Sequence, residues 1–149
     1  MATYPNNREE LEERLRKHVE IRMTRQGEYN RRIKMEFLNC DFEQKTLEIR
    51  HNAIAEEMNP LNTMHGGIVS WLLDSTMGTL ANAWVMVPSP TLNLSVNFVS
   101  PVREGDEVTV RAWLVHVGRA TISAMSEMRV GDRICATGIG SFFVTENRA

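Results

Sequence analysis

The chain has 149 residues, 42% hydrophobic and 24% charged, with a formal net charge of −2 and a pI near 6.1. This usage excludes a disordered, collagen-like or low-complexity chain, and the length suits one domain with a real core. No global basic field is present to hold nucleic acid, so an anionic ligand needs a local patch of cations.

Met1 to Gln26 is polar and carries no apolar leader of the secretory kind. Residues 7–26 read as a surface helix, with Leu11, Leu15, Val19 and Met23 forming a narrow apolar stripe. Asn7 and Glu10 have the spacing of a capping box, Glu9 and Glu10 occupy the positive first turn, Glu13 and Lys17 form an i,i+4 pair, and Gly27 suits the C-terminal cap. The pattern reads as an amphipathic helix lying on its own domain, ahead of the alternative of a partner-binding or lid helix.

Residues 31–51 predict two strands: Ile33, Met35 and Phe37 alternate with charged residues, as do Leu47 and Ile49, and Asn39 to Lys45 supplies the turn. A loop follows through Asn59-Pro60-Leu61-Asn62-Thr63-Met64. The segment Gly66 to Val87 is long enough to span a bilayer. It contains Asp74 and Asn82, however, and no Lys or Arg cluster flanks it. It reads as a helix buried on nearly all sides and ended by Pro88 and Pro90, with Gly78 marking a close approach.

After Pro90 the chain alternates as strands. Leu92 to Phe98, Val108 to Leu114, Ile122 to Met128 and Ile134 to Val144 are separated by turns at Pro101–Asp106, Gly118-Arg119 and Gly131-Asp132, which predicts an antiparallel meander. A sheet with one apolar face must curl around the apolar helix. One layer cannot cover a helix on all sides, so a second copy of the chain is expected to complete the burial. The whole chain, residues 1–149, reads as one domain: an accessory helix over 1–27 and a core over 31–146.

Asp74 stands out chemically. Trp71, Met77 and Gly78 are its helical neighbours, and no Lys or Arg lies within 20 residues on either side. A carboxylate buried there is costly unless paired, hydrogen-bonded or protonated. It reads either as a base or nucleophile or as a carboxylate bonded to nearby backbone, and both stay open on its neighbours alone. His65-Gly66-Gly67 opens the helix, where unpaired amides carry the positive dipole end and suit an oxygen gaining negative charge. His65 itself is open between a structural and a catalytic histidine. His18, His51 and His116 have no partners at ligand spacing, so no metal site is expected. Cys40 and Cys135 form no disulfide framework and read as small core residues, reduced in a cytoplasmic protein. Neither a G-x-S-x-G elbow, a P-loop nor a G-x-G-x-x-G is present.

Three elements then combine: Asn59 six residues before His65-Gly66-Gly67, Asp74 nine residues after that histidine, and Thr91-x-x-Leu94-x-x-Asn97-Phe98-x-x-Pro101. In this combination the chain resembles the hot-dog-fold acyl-CoA thioesterases, in particular the phenylacetate-degradation (PaaI-like) branch, over about Ile33 to Val144. The resemblance implies an α+β hot-dog fold, an antiparallel sheet wrapped around a long central helix, here with an extra N-terminal helix. It implies homo-oligomers, dimers with a continuous sheet and often tetramers, whose sites are shared between subunits.

It also implies roles. The Gly66 N–H polarises the thioester carbonyl, Asp74 activates water or attacks, Asn59 and His65 shape or polarise the site, and Thr91 places the water or the carboxylate. Acyl-CoA is then the substrate, with no metal or redox cofactor and no nucleic-acid or membrane partner. This chain departs from the family in carrying Asn62 where glycine is usual, bulky Trp71 on the helix, and Thr91 in place of serine. Asn tolerates positive φ, so the turn at Asn62 is expected to survive. Arg103 and Arg119, in turns beside the strands, are the candidate cations for the CoA phosphates. A CoA-ester binding module and, with less support, a hot-dog dehydratase or hydratase are the alternatives. Aromatic, medium-chain and polyketide-like acyl groups stay open.

Overall fold

A computed structural model describes residues 1–24 and 31–145. Helix α1 spans Arg8–Thr24, strands β1 and β2 span Glu36–Asp41 and Thr46–Asn52, and a short 3-10 turn covers Ala55–Glu57. The central helix α2 runs Gly66–Val85. Strands β3 to β6 follow at Thr91–Phe98, Glu107–Val117, Thr121–Val130 and Arg133–Phe143. All neighbours in the six-stranded sheet are antiparallel, in the order β1-β2-β4-β5-β6-β3.

This order corrects the simple meander. β4, β5 and β6 are consecutive, but β3 does not pair with β4. It lies at the far edge beside β6, and β2 takes the place next to β4. The central helix carries the chain from β2 across to that far edge.

The inner face of the sheet carries Val108, Val110, Ala112 and Leu114 on β4, Ile122, Ala124 and Met128 on β5, and Phe142 on β6, all buried. Two glycines on β6 let the helix lie close. A Cβ at Gly138 would stand 2.7 Å from the Ser126 hydroxyl and 3.4 Å from a Leu73 methyl, and one at Gly140 would stand 3.0 Å from the Met77 methyl. Leu72, Leu73, Met77 and Leu80 are fully buried against this face.

Part of the cover assigned in sequence to a second copy comes instead from α1. Its Leu11, Leu15 and Val19 are buried, and the helix packs on α2 and β1. Burying each such side chain contributes about 1.5–3 kcal/mol, which fixes α1 to its own domain. The Asn7 side chain caps the helix by accepting the Glu10 N–H at 2.9 Å, while Glu10 reaches back to the N–H of Asn6 rather than that of Asn7. Among the described residues, the surface ion pairs on α1 are Glu10–Arg14 and Glu12–Arg16, not Glu13–Lys17. Gly27 lies outside the described residues.

The first strand starts later than its alternation suggests. Ile33 and Met35 are buried but precede β1, and the Met35 N–H meets the Met23 sulfur at 3.3 Å instead of joining the sheet. Asn39 to Asp41 stay in β1 past a break in register after Phe37, leaving residues 42–45 for the turn. Among the described residues, no helix is long and apolar enough to cross a membrane.

Candidate active site

The loop before α2 is built around Asn59. Its side-chain oxygen accepts the N–H groups of Leu61 (2.9 Å) and Thr63 (3.3 Å), and its amide donates to the Thr63 hydroxyl at 2.9 Å. This Asx turn satisfies the loop backbone locally. Asn62 takes φ 57°, so the asparagine that replaces the usual glycine keeps the left-handed turn. In this single copy the Asn59 side chain therefore shapes the loop.

His65 is the N-cap of α2. Its Nδ1 accepts the Gly67 N–H at 3.1 Å, which leaves the proton on Nε2 in the neutral ring. The Ile68 and Val69 amides bond the His65 carbonyl. Among the described residues nothing accepts the Gly66 N–H, so it stands free at the positive end of a 20-residue helix. The Phe98 ring lies over Gly66, with Cζ 3.2 Å from where a Cβ would sit, yet Phe98 is 61% exposed.

Two clefts flank this helix start. One, of about 330 Å³, is lined by Asn59, Gly66, Val69, Phe98, Val102 and Cys135. The other, of about 410 Å³, is lined by Glu57, Met58, His65, Ile68 and Trp71 among others. Trp71 is half-buried and forms a cleft wall rather than filling the core.

Asp74 lies two turns further along α2 and is half-buried. The Thr91 hydroxyl, at the start of β3, donates to Asp74 Oδ1 at 2.9 Å. That bond orients the carboxylate and leaves Oδ2 for other partners. The nearby cation is one that sequence distance concealed. Arg22 comes from α1, and its Nη2 would be 3.3 Å from a Cβ at Gly78, one turn beyond Asp74. Burial pushes the Arg22 guanidinium below its ordinary range, and the charge of Asp74 opposes that shift. The two groups interact beyond ion-pair contact.

The structure joins Asp74 to Thr91, and groups Asn59, His65 and Gly66, but keeps these halves apart. Eight helical residues separate Gly66 from Asp74, roughly 12 Å along the axis. Arg103 and Arg119, both exposed, precede and follow the 11-residue β4, so roughly 30 Å or more separates them within one chain. Beside Arg103, Arg133 donates to the Ser100 hydroxyl (3.0 Å) and the Pro101 carbonyl (2.5 Å) and lies 3.7 Å from Asp106. Sequence reasoning missed Arg22, Arg133 and the buried contact of His51 with Glu57. Each depends on a long-range or loop contact with no spacing signature.

The chain has solved structural counterparts in several bacteria. A conserved protein of Pseudomonas aeruginosa is 28% identical, with a TM-score of 0.72, covering 80% of this chain and 95% of its own. A phenylacetic acid degradation-related protein of Ralstonia eutropha is 22% identical, with a TM-score of 0.76, covering 85% of this chain and 99% of its own. A Streptococcus mutans protein whose structure holds acetyl CoA is 20% identical, with a TM-score of 0.71, covering 78% of this chain and 92% of its own. No curated protein matches the chain. The model of the thioesterase superfamily matches residues 61–137, from the loop before the central helix into β6. That match spans just over half of the sequence and includes His65, Gly66, Asp74 and Thr91. With its hot-dog fold, the chain belongs to the thioesterase superfamily.

Proposed function

We propose that the protein is an acyl-CoA thioesterase of the PaaI-like branch, hydrolysing a thioester to a carboxylic acid and free CoA. The observation that carries this reading is the Asp74 carboxylate on an apolar helix, oriented by Thr91 with one oxygen uncommitted. A half-buried carboxylate held by one hydroxyl, with its second oxygen turned to other partners, is placed to act as a base or nucleophile. The Gly66 N–H takes up charge developing on the thioester oxygen. Asp74 delivers the attack, by taking a proton from water or by adding its own oxygen to the carbonyl. Collapse of the tetrahedral intermediate expels the CoA thiolate, which takes up a proton. With water as nucleophile this gives the acid directly, and with Asp74 as nucleophile it leaves a mixed anhydride that water then hydrolyses to the acid and the free carboxylate. No metal or redox cofactor enters this scheme.

Both groups must stand about 3–3.5 Å from the reacting atoms, so one chain cannot supply both across roughly 12 Å. A second copy can. Among the described residues β3 is an edge strand paired only with β6, and it exposes Leu92 and Phe98. Asp74 and Thr91 lie at one end of it, and Gly66 lies under Phe98 at the other. Antiparallel pairing of two β3 edges about a two-fold axis brings the Thr91 end of one copy beside the Phe98 end of its partner. The sheet then continues through the dimer, and each site takes Gly66 from one copy and Asp74 from the other. A tetramer of two such dimers is part of this reading. The buried thiols Cys40 and Cys135 fit a reducing, cytoplasmic compartment.

An acyl-CoA panel with thiol release as readout tests the activity, and no turnover on any member overturns it. The phosphate contacts have their own signature. Arg103→Ala and Arg119→Ala are expected to raise KM for CoA thioesters several-fold with kcat little changed, since these contacts serve substrate and transition state alike. High salt should act in the same way, as the Debye length falls from about 10 Å at 0.1 M to about 3 Å at 1 M. Pantetheine thioesters lack these phosphates and should respond to neither change. An identical response from both substrate types removes these arginines from the phosphate site.

A further inference from the structure

His51 on β2 and Glu57 at the end of the 3-10 turn are buried, 2% and 4% exposed. Both ring nitrogens of His51 face acceptors: Nε2 is 2.9 Å from Glu57 Oε2, and Nδ1 is 2.8 Å from the Lys34 carbonyl oxygen. A neutral imidazole has one N–H and serves one of them, whereas the imidazolium serves both. Glu57 Oε2 also accepts the Ile54 N–H at 3.2 Å, while Oε1 is buried with no partner. An ionised Glu57 therefore depends on the charge of the ring beside it.

Burial works against a charged His51, but the Glu57 hydrogen bond and charge and the Lys34 carbonyl outweigh it and hold the ring above its ordinary value. Glu56 and His65 line the same cleft as Glu57, and Lys34 meets His51 through its main-chain carbonyl. The partner of His51 across β4 is Val108, and the adjacent Arg50 is engaged by Glu36 and Glu107. The central helix carries no charged residue before Asp74.

Glu57 is also the root of the loop that delivers half of the site. Its carbonyl accepts the His65 N–H at 2.8 Å, Met58 bridges Met64, and the Asn59 N–H donates to the Thr63 carbonyl at 2.8 Å. One residue thus ties the cap of the central helix, through its main chain, to the sheet, through its side chain. We propose that His51 and Glu57 form a proton-dependent positioning couple, which holds the Asn59–His65 loop and the Gly66 N–H in register while the ring carries two protons and loosens them when one leaves. Its catalytic consequence rests on the thioesterase reading, but its structural part does not.

The sign follows from the raised value. The tie is complete below about pH 6.5, the ordinary histidine value, and is lost as pH rises through the higher value in the folded protein.

The test begins with the wild-type protein, which avoids any folding defect of a variant. NMR of the His51 ring across pH should show both nitrogens protonated at about pH 5.5, below the ordinary histidine value, and the backbone amides of His65 and Gly66 should shift with the same midpoint. In Glu57→Gln the midpoint should fall by one unit or more. In hydrolysis, kcat should drop several-fold through that midpoint with KM little changed, and His51→Gln should lower the kcat plateau about tenfold and abolish this limb. A ring that stays neutral at about pH 5.5 with Nε2 as acceptor overturns the proposal, as do Gly66 and His65 amides that ignore the titration. A protein that shows the coupled amide shifts but hydrolyses no thioester retains the couple and loses only the thioesterase reading.

Discussion

Asp74→Asn is expected to give a folded protein that releases thiol from acyl-CoA at least about 10³-fold more slowly, a loss of about 4 kcal/mol of transition-state stabilisation. Asparagine keeps the size of the side chain and an oxygen for the Thr91 hydroxyl, so the 2.9 Å bond that orients the group survives. The amide can neither take a proton from water nor add to a carbonyl. Arg22 loses a counter-charge that it does not touch, so only a small drop in Tm should accompany the change. Thr91→Val, which removes the orienting donor and leaves the carboxylate, should cost about tenfold in kcat. Turnover near wild type in Asp74→Asn would remove Asp74 from the chemistry and the hydrolytic mechanism with it.

The shared site predicts that two inactive variants restore each other. Gly66→Pro removes the free amide with little disturbance to the helix. Proline is favoured at the first helical position. His65 already has φ −58° and ψ 133°, the conformation required of a residue before proline. The Phe98 ring, close over Gly66 but largely exposed, has room to yield. Gly66→Pro alone should lose about 10²-fold or more in kcat, as for other oxyanion donors.

Co-expression of Gly66→Pro with Asp74→Asn gives mixed dimers in which one site joins an intact Gly66 to an intact Asp74. Random pairing then restores about one quarter of wild-type activity, because half of the dimers are mixed and each holds one good site of two. Activity no higher than that of the separate variants would show that each chain builds its site alone. That outcome would require Gly66 and Asp74 to act across roughly 12 Å of helix.

Much of the fold was legible because it rests on local periodicity. The stripe Leu11, Leu15, Val19 and Met23 marked α1, and its first three residues are buried while Met23 is half-buried. The apolar run after Gly66 marked the central helix, and the pattern from Leu92 to Val144 marked the four strands behind it, the last of which ends at Phe143. Strand order was not legible, since an alternating strand at the sheet edge reads like one in the middle. β3 beside β6, rather than β4, follows from how the chain crosses behind the helix. Ile33 and Met35 had the period of a strand and the burial of one, but the Met35 amide is drawn to the Met23 sulfur, a contact no spacing encodes.

The candidate site divides along the same line. Asp74 and the His65-Gly66-Gly67 opening of the helix stood out by residue type and place in the linear chain, whereas Asn59 and Thr91 were picked out only through the resemblance to the thioesterases. The sequence also determined the turn at Asn62, whose short polar side chain tolerates the left-handed backbone it adopts. Tertiary structure alone decided what each one touches. It bonded Thr91 to Asp74 and turned the Asn59 side chain into its own loop. It brought Arg22 from the accessory helix to the turn beyond Asp74, and it buried His51 against Glu57. Periodicity reports which face of an element is buried, because burial repeats with the element's own geometry. A contact between distant segments has no period, and it exists only once the helix, the sheet and α1 are packed together.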